Sequence, residues 1–178
     1  MDSINNNQPE ENRADLTDRA AIERIRAMVD SAKTCFFCTR ASDHSFQNTR
    51  PMSVANMDDD GNLWFLSAAD SHKNVELTRD PLVELFFQGS PHSEFLHLRG
   101  EATISTDQDV IDDLWKPLDK VWFTEGRNDP RITAIMVAPH AGYYWDTKHG
   151  GAVAGIKMLI GAAVGKTLDD SIEGTLRL

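Results

Sequence analysis

What most constrains this 178-residue chain is a succession of short β-branched and aromatic runs, broken by turn-forming clusters. Residues 34–40 (TCFFCTR), 50–57 (RPMSVANM) and 62–67 (NLWFLS) each read as a strand. Between the last two, Asp58, Asp59, Asp60 and Gly61 offer a tight hairpin turn, with glycine supplying a positive φ. Residues 82–88 (LVELFFQ) and 94–105 (EFLHLRGEATIS) pair as a second hairpin across GSPHS, and 132–138 (ITAIMVA) and 142–146 (GYYWD) are further strands. Six or more short strands, mostly in hairpins, predict a mainly β, α+β chain: an antiparallel barrel with peripheral helices. The order is not the βαβ alternation of a doubly wound sheet.

The helices are few. Ile22, Ile25, Met28, Val29 and Ala32 recur at helical spacing, with Arg19, Glu23, Arg24, Arg26 and Asp30 between them. That spacing predicts an amphipathic helix with Asp15 or Thr17 as its N-cap. Residues 71–79 read as a short helix, capped by Asp70 or Ser71 and stopped before Pro81. Thr106 or Asp107 caps an acidic helix running to about Trp115, and an aromatic, charged loop follows to Pro130. A Gly/Ala-rich stretch, 152–164, reads as a closing helix. Nothing resembles a linker, so residues 13–168 are expected to form one domain. A disordered acidic tail (1–12) precedes it and a C-terminal tail (169–178) follows.

Charge narrows the partners. Lys and Arg number 18 against 28 Asp and Glu, a formal charge of −10. Nucleic-acid binding needs clustered cations on phosphates, so the balance argues against it. A small phosphorylated ligand needs only a local basic cluster and stays open. No stretch approaches the roughly 18 apolar residues of a membrane span. The beginning, MDSINNNQPEEN, lacks the apolar core of a signal peptide. With two cysteines as well, a reducing cytoplasm is the expectation.

Familiar motifs are absent or incomplete. Cys35 and Cys38 match C-x-x-C, but they lie in a strand pattern, where residues three apart face opposite sides. They read as structural cysteines, and no second pair completes a zinc site. Gly161 to Thr167 (GAAVGKT) has three residues between its glycines where a phosphate loop needs four. There is no G-x-G-x-x-G and no G-x-S-x-G. The six histidines show no tight ligand spacing. No catalytic residue and no metal ligand is identified.

One constellation does carry chemistry, and it is spread over three segments. Arg50 opens a strand, Ser67 ends the next, and Ser71, His72 and Lys73 open a helix. A helix N-terminus presents free N–H groups and a positive dipole end to an anion. Ser71 can add a hydroxyl and Lys73 a charge. If the Arg50 strand lies beside the one ending at Ser67, the guanidinium can fork onto the same phosphate.

The order Arg50-Pro-Met-Ser-Val, Leu63-Trp-Phe-Leu-Ser67, Ser71-His-Lys73, Phe95-Leu-His-Leu-Arg-Gly100 and Tyr144-Trp145-Asp146 resembles the pyridoxamine 5′-phosphate oxidase-like, FMN-binding split-barrel superfamily. The run from Trp115 through Trp122 and Phe123 to Asp129-Pro130 is similar to its general stress protein branch. The resemblance spans about Ala20 to Lys166. It implies a homodimeric antiparallel split barrel with FMN, or alternatively FAD, at the subunit interface. Arg50 and Lys73 match residues that hold the FMN phosphate, with Ser71 and His72 beside them. Met52, Ser53 and Val54 match the strand along the flavin, and Leu66 and Ser67 the strand end that meets its rings. Trp145 matches an aromatic reaching the flavin from the partner subunit.

Three departures qualify what the resemblance implies. His72 stands where the oxidases tend to have arginine, and Phe95 where they have a glutamine that bonds the flavin. After Trp145 the chain reads Asp146-Thr-Lys-His-Gly-Gly-Ala in place of the oxidases' Arg-x-His substrate segment. The vitamin-B6 oxidase reaction is therefore not expected. The resemblance implies a flavin-dependent oxidoreductase of the general stress type. The alternatives are a non-catalytic flavin store, or a split barrel holding haem or a deazaflavin.

Overall fold

The computed structural model describes residues 12–40, 48–150, 157 and 170–178. Both the acidic tail expected over 1–12, Asn12 apart, and the helix expected over 152–164, Lys157 apart, lie outside the described residues.

Among the described residues, nine strands form one mixed sheet that does not close on itself. They are β1 (Leu16–Thr17), β2 (Thr34–Thr39), β3 (Asn48–Ser53), β4 (Asn56–Met57), β5 (Leu63–Ala68), β6 (Leu82–Gln88), β7 (Phe95–Ser105), β8 (Ile132–Thr147) and β9 (Ser171–Arg177). The order runs β1-β9-β8-β7-β6-β2-β3, and β5 branches off β8 carrying β4. All pairings are antiparallel except β1 with β9. The 16-residue β8 is the spine. One edge pairs with β7 along its length; the other pairs first with β5, then with β9. This change of partner splits the barrel.

Two strands were expected where β8 runs as one, because Pro139 and Gly142 punctuate the pattern. A bulge reconciles them. Arg99 pairs with Ala141 and Gly100 with Pro139, so His140 is the extra residue and the ladder bends there. A Cβ on Gly100 would lie 2.5 Å from the Ala138 carbonyl oxygen, so only glycine fits the bend. The expected C-terminal tail is also corrected. Residues 171–177 form β9 on β8, with alternating side chains that bury Leu176. A Cβ on Gly174 would run into the Ala14 carbonyl, which is how close the chain before β1 lies.

Helix α1 (Asp18–Ala32) starts after Thr17 and ends on Lys33, whose positive φ lets its N–H reach Val29 O. It buries Ala21, Ile25, Met28 and Val29 against the sheet interior. There Phe37 and Phe65 meet edge to face, with centroids 5.2 Å apart. Such a pair adds roughly 0.5–1.5 kcal/mol beyond its buried area. Helix α2 (His72–Arg79) is capped by Ser71, and α3 (Gln108–Leu114) by Asp107. After α3 a short 3-10 turn, Pro117–Val121, leads to Phe123. Phe123 is buried with Ile111, Leu114, Ile132 and Ala134 in a second apolar cluster. Among the described residues, no helix is long and apolar enough to cross a membrane.

The strand expected over 50–57 is two strands with different partners. β3 pairs with β2, and β4 with β5. The exchange occurs between Val54, whose N–H bonds Lys33 O, and Ala55, whose N–H bonds Trp64 O. The turn between β4 and β5 is as expected, with Gly61 at φ 92° and Asp58 accepting from the Asp60 and Asn62 amides.

Candidate functional site

Arg50 sits on β3, which pairs with β2 and not with β5. The proposed adjacency of the Arg50 strand to the one ending at Ser67 is therefore not a ladder. Even so, the fold brings the same residues together through the crossing at Val54 and the start of α2. Arg50, Ser71, His72 and Lys73 line one pocket with Asn48, Thr49 and Glu76. Lys73 also lines a neighbouring groove of about 520 Å³, which continues along Met52, Ser53 and Val54 to Leu66 and Ser67. Nine of the ten residues singled out from the sequence thus border one trough, cationic at one end and apolar along its length.

Leu118, Trp122 and Phe123 form the far wall. Phe123 anchors it in the second cluster, whereas Leu118 and Trp122 are 77% and 79% exposed. The charges on that wall are committed locally. Lys116 Nζ donates to Ala55 O at 2.7 Å, and Asp119 accepts from the Lys116 amide at 2.7 Å.

The cationic end is built by α2. Ser71 takes its N-cap position because its hydroxyl oxygen accepts from the Asn74 amide, at 3.4 Å. Asn74 is buried and moors the helix. Its Oδ1 accepts from Ser67 Oγ at 2.9 Å, and its Nδ2 donates to Thr133 Oγ1 at 2.8 Å. Thr133 in turn donates to Ser67 O at 3.1 Å. Ser67 is only 3% exposed and its hydroxyl is spent on this network, so it supports the trough and offers no free donor there.

Lys73 Nζ lies 3.4 Å from Ser71 Oγ. Burial and the nearby Arg50 charge hold its ammonium below the usual lysine value, while Glu76 acts the other way. Arg50 Nη2 donates to Glu76 Oε2 at 2.8 Å and to Thr39 Oγ1 at 3.1 Å. Glu76 also accepts from Thr39 Oγ1 at 2.5 Å and, on Oε1, from Asn48 Nδ2 at 2.6 Å. Partial burial works to raise its pKa. Bonds from Thr39, Arg50 and Asn48 outweigh that and hold it below the ordinary glutamate value. This carboxylate escaped the sequence reasoning. Its signal was the i, i+3 and i, i+4 spacing from Lys73 and His72, which puts all three on one face of α2.

Trp145 is the residue this chain does not bring to the trough. It lies 43% exposed on a second groove of about 540 Å³, beside Phe36, Phe86, Phe95 and His97. Phe86 stacks on His97 at 4.4 Å, and His97 Nε2 lies 2.9 Å from Glu84 Oε2. Pro51 borders both grooves. Cys35 and Cys38 are buried free thiols. Burial, with the second thiol adding to it, pushes Cys35 up to about 12, so it is no nucleophile near neutral pH.

A family model described as pyridoxamine 5′-phosphate oxidase like matches residues 20–169. A provisionally named general stress protein 26 from Jannaschia sp. CCS1 superposes with a TM-score of 0.73 at 19% identity, covering 88% of this chain and 97% of that one. The general stress FMN/FAD binding protein of Xanthomonas citri superposes at 0.57 and 21% identity, covering 67% of this chain and 82% of its own. At such identities the likeness is one of fold, that of the split barrel. Among curated proteins, protein bli-3 of Neurospora crassa is 26% identical over 132 residues, 69% of this chain. The match covers 63% of that relative, so this chain spans under two thirds of its length.

Proposed function

From the premise that this chain belongs to the pyridoxamine 5′-phosphate oxidase-like family, we propose that it binds FMN in the trough and serves as a flavin-dependent oxidoreductase of the general stress type. The observation that carries this reading is the joining of two unlike surfaces at Lys73: a pocket holding Arg50, Ser71, His72 and Lys73, and an apolar groove floored by Met52, Ser53 and Val54. A phosphate ester on a flat ring system needs that pairing of a cationic end with an apolar run. In this reading Arg50 and Lys73 take the phosphate, with Ser71 and His72 at its side. Residues 52–54 and Leu66 lie along the ribityl chain and rings. When bound, the flavin supplies the electron-transfer chemistry, and the protein orients it and limits its access to water. Trp122 and Leu118 stand where a redox partner would approach.

The cleft is proposed to be completed by a second copy of this chain, in a homodimer. Phe36, Phe86 and Trp145 are 58%, 39% and 43% exposed on one face, an apolar surface of the kind interfaces cover. Pro51 joins that face to the trough, so a partner's Trp145 is a candidate to reach the flavin.

The test is the colour and binding preference of the purified protein. Flavin absorbance near about 450 nm is expected. Replacing Arg50 and Lys73 with Ala is expected to weaken FMN at least ten-fold, roughly the value of one charge-assisted contact, and to leave riboflavin nearly unchanged. Equal losses for both ligands would remove the phosphate assignment. A colourless protein that refuses added FMN would remove the flavin reading. Flavin that neither nicotinamide donor reduces would favour storage over turnover.

A further inference from the structure

We propose that Glu76 is a positioning residue that sets the phosphate-facing arginine, and that it governs phosphate recognition without touching the ligand; this rests on the trough being the phosphate site. An unpaired arginine has many rotamers, and fixing one at the moment of binding costs affinity. Here Arg50 is fixed beforehand. Its Nη2 is held by Glu76 Oε2 at 2.8 Å and by Thr39 Oγ1 at 3.1 Å. Glu76 is itself fixed from both sides, by Thr39 on β2 at 2.5 Å and by Asn48 on β3 at 2.6 Å. One carboxylate on the pocket wall therefore ties β2, β3 and α2 together. Among the described residues, the bonds of the Arg50 guanidinium all run through Nη2. Nε and Nη1 make neither of these bonds, so their N–H groups are left to donate to a phosphate.

Glu76 also tempers the charge. Arg50, Lys73 and Glu76 line the same pocket and together carry one net positive charge. The site is thus selective through geometry more than through raw charge, in a chain whose overall charge of −10 already repels anions. A neutral glutamine can keep the geometry. Its oxygen accepts from Arg50 and Thr39, and its amide donates to Asn48 once that side-chain amide turns over.

The experiment measures FMN and riboflavin affinities by quenching of flavin fluorescence, for wild type, Glu76→Gln, Glu76→Ala and Thr39→Val. Glu76→Ala is expected to bind FMN about ten-fold more weakly and riboflavin within about two-fold of wild type. Glu76→Gln is expected to restore FMN binding to the wild-type level or better. Thr39→Val keeps the shape of β2 and removes the hydroxyl bonded to both partners. It is expected to weaken FMN alone, whether or not the alanine variant folds. The same ranking is expected with inorganic phosphate as the probe, read as a rise in melting temperature. Glu76→Ala with wild-type FMN affinity, Glu76→Gln as weak as Glu76→Ala, or parallel losses of riboflavin would overturn the proposal. Wild-type protein that takes up neither flavin overturns the flavin reading instead, and the phosphate ranking then decides the role of Glu76 by itself.

Discussion

Arg50 on β3 and Glu76 on α2 meet at 2.8 Å across 26 residues of sequence, and both are largely withdrawn from water. This contact closes the cationic end of the trough. It joins the β2–β3 edge of the sheet to the helix that follows β5, two parts of the sheet that share no ladder at this point. In a chain with a ten-charge acidic excess, cations gathered into one pocket need a local reason to converge. Here the reason is a partly buried hydrogen-bond network and not bulk attraction.

Lys73 makes phosphate binding pH-dependent in a defined direction. Its ammonium is held below the usual lysine value by burial and by Arg50, so it loses its proton at a lower pH than an exposed lysine does. The charged form grips phosphate, so affinity for FMN is expected to fall as pH rises, and to begin falling at a lower pH than an exposed lysine would dictate. Riboflavin binding supplies the baseline, since it lacks the phosphate. Lys73→Arg is expected to flatten the FMN curve relative to that baseline, because guanidinium stays protonated throughout. Parallel curves for FMN in wild type and Lys73→Arg would show that Lys73 is not part of the grip.

Asn74 is expected to matter more for stability than any residue that faces the ligand. It is 5% exposed and bonds Ser67, Ser71 and Thr133. Asn74→Ala takes one bond each from the Ser67 and Thr133 hydroxyls, leaving Thr133 its bond to Ser67 O at 3.1 Å and Ser67 Oγ only longer contacts, 3.2 Å to Ser71 Oγ and 3.4 Å to Ala68 O. Each lost bond costs roughly 1 kcal/mol or more, so a loss of about 2–3 kcal/mol is expected. An unfolding free energy from urea titration within about 0.5 kcal/mol of wild type would mean that the network does not moor α2.

The strand-rich character, the three helix caps and the Asp58–Gly61 turn could be read from the sequence because each is a local matter of side-chain type and spacing. Thr17, Ser71 and Asp107 are each one of the two caps expected. Partner choice was harder to read. Residues 50–57 form one unbroken β pattern, yet the chain changes ladders at Val54, because its amide finds Lys33 O just ahead of β2 while the next amide finds Trp64 O on β5. β9 was hidden by its short alternating pattern, which has meaning only once β8 offers an edge. At the site, residues on adjacent segments were legible because a helix start after a strand end places them together. Glu76 was not, because its role depends on Thr39 and Asn48 from strands whose pairing could not be foreseen.

Asp170 ties the β9 start to the end of β8 and carries a pH signature of its own. It is 4% exposed and lies 2.6 Å from His149 Nδ1 and 2.6 Å from Lys157 Nζ. Burial works to raise its pKa, but bonds from His149 and Lys157 prevail and hold it at about 2. Its folded value thus lies below its unfolded one. The stability it contributes is fully present above roughly pH 4 and is lost as pH falls toward about 2. Asp170→Asn is expected to be less stable than wild type at neutral pH by about 2 kcal/mol, less than for a wholly buried pair because both basic partners are partly solvated. The gap is expected to close in acid. An equal difference at pH 7 and pH 2.5 would exclude the ion pair as its source.

Trp145 and Phe36 separate assembly from ligand contact. Both sit on the exposed apolar face, but only Trp145 is proposed to reach across to a partner's trough. Wild-type protein is expected to elute at about 40 kDa, twice the 19.9 kDa chain. Phe36→Glu puts a charge into the proposed interface, where burial without a partner is costly. It is expected to elute as a single chain and to bind FMN weakly, although Arg50, Lys73 and Glu76 are untouched. Trp145→Ala is expected to remain dimeric and to lose FMN and riboflavin alike, by roughly two- to ten-fold, the range of one aromatic contact. That parallel loss is the opposite of the FMN-only loss expected at Arg50 and Lys73, because a ring contact cannot distinguish ligands that differ only in the phosphate. A monomeric wild type with full FMN affinity would remove the partner from the site. A Trp145→Ala variant that loses FMN alone would remove the proposed ring contact.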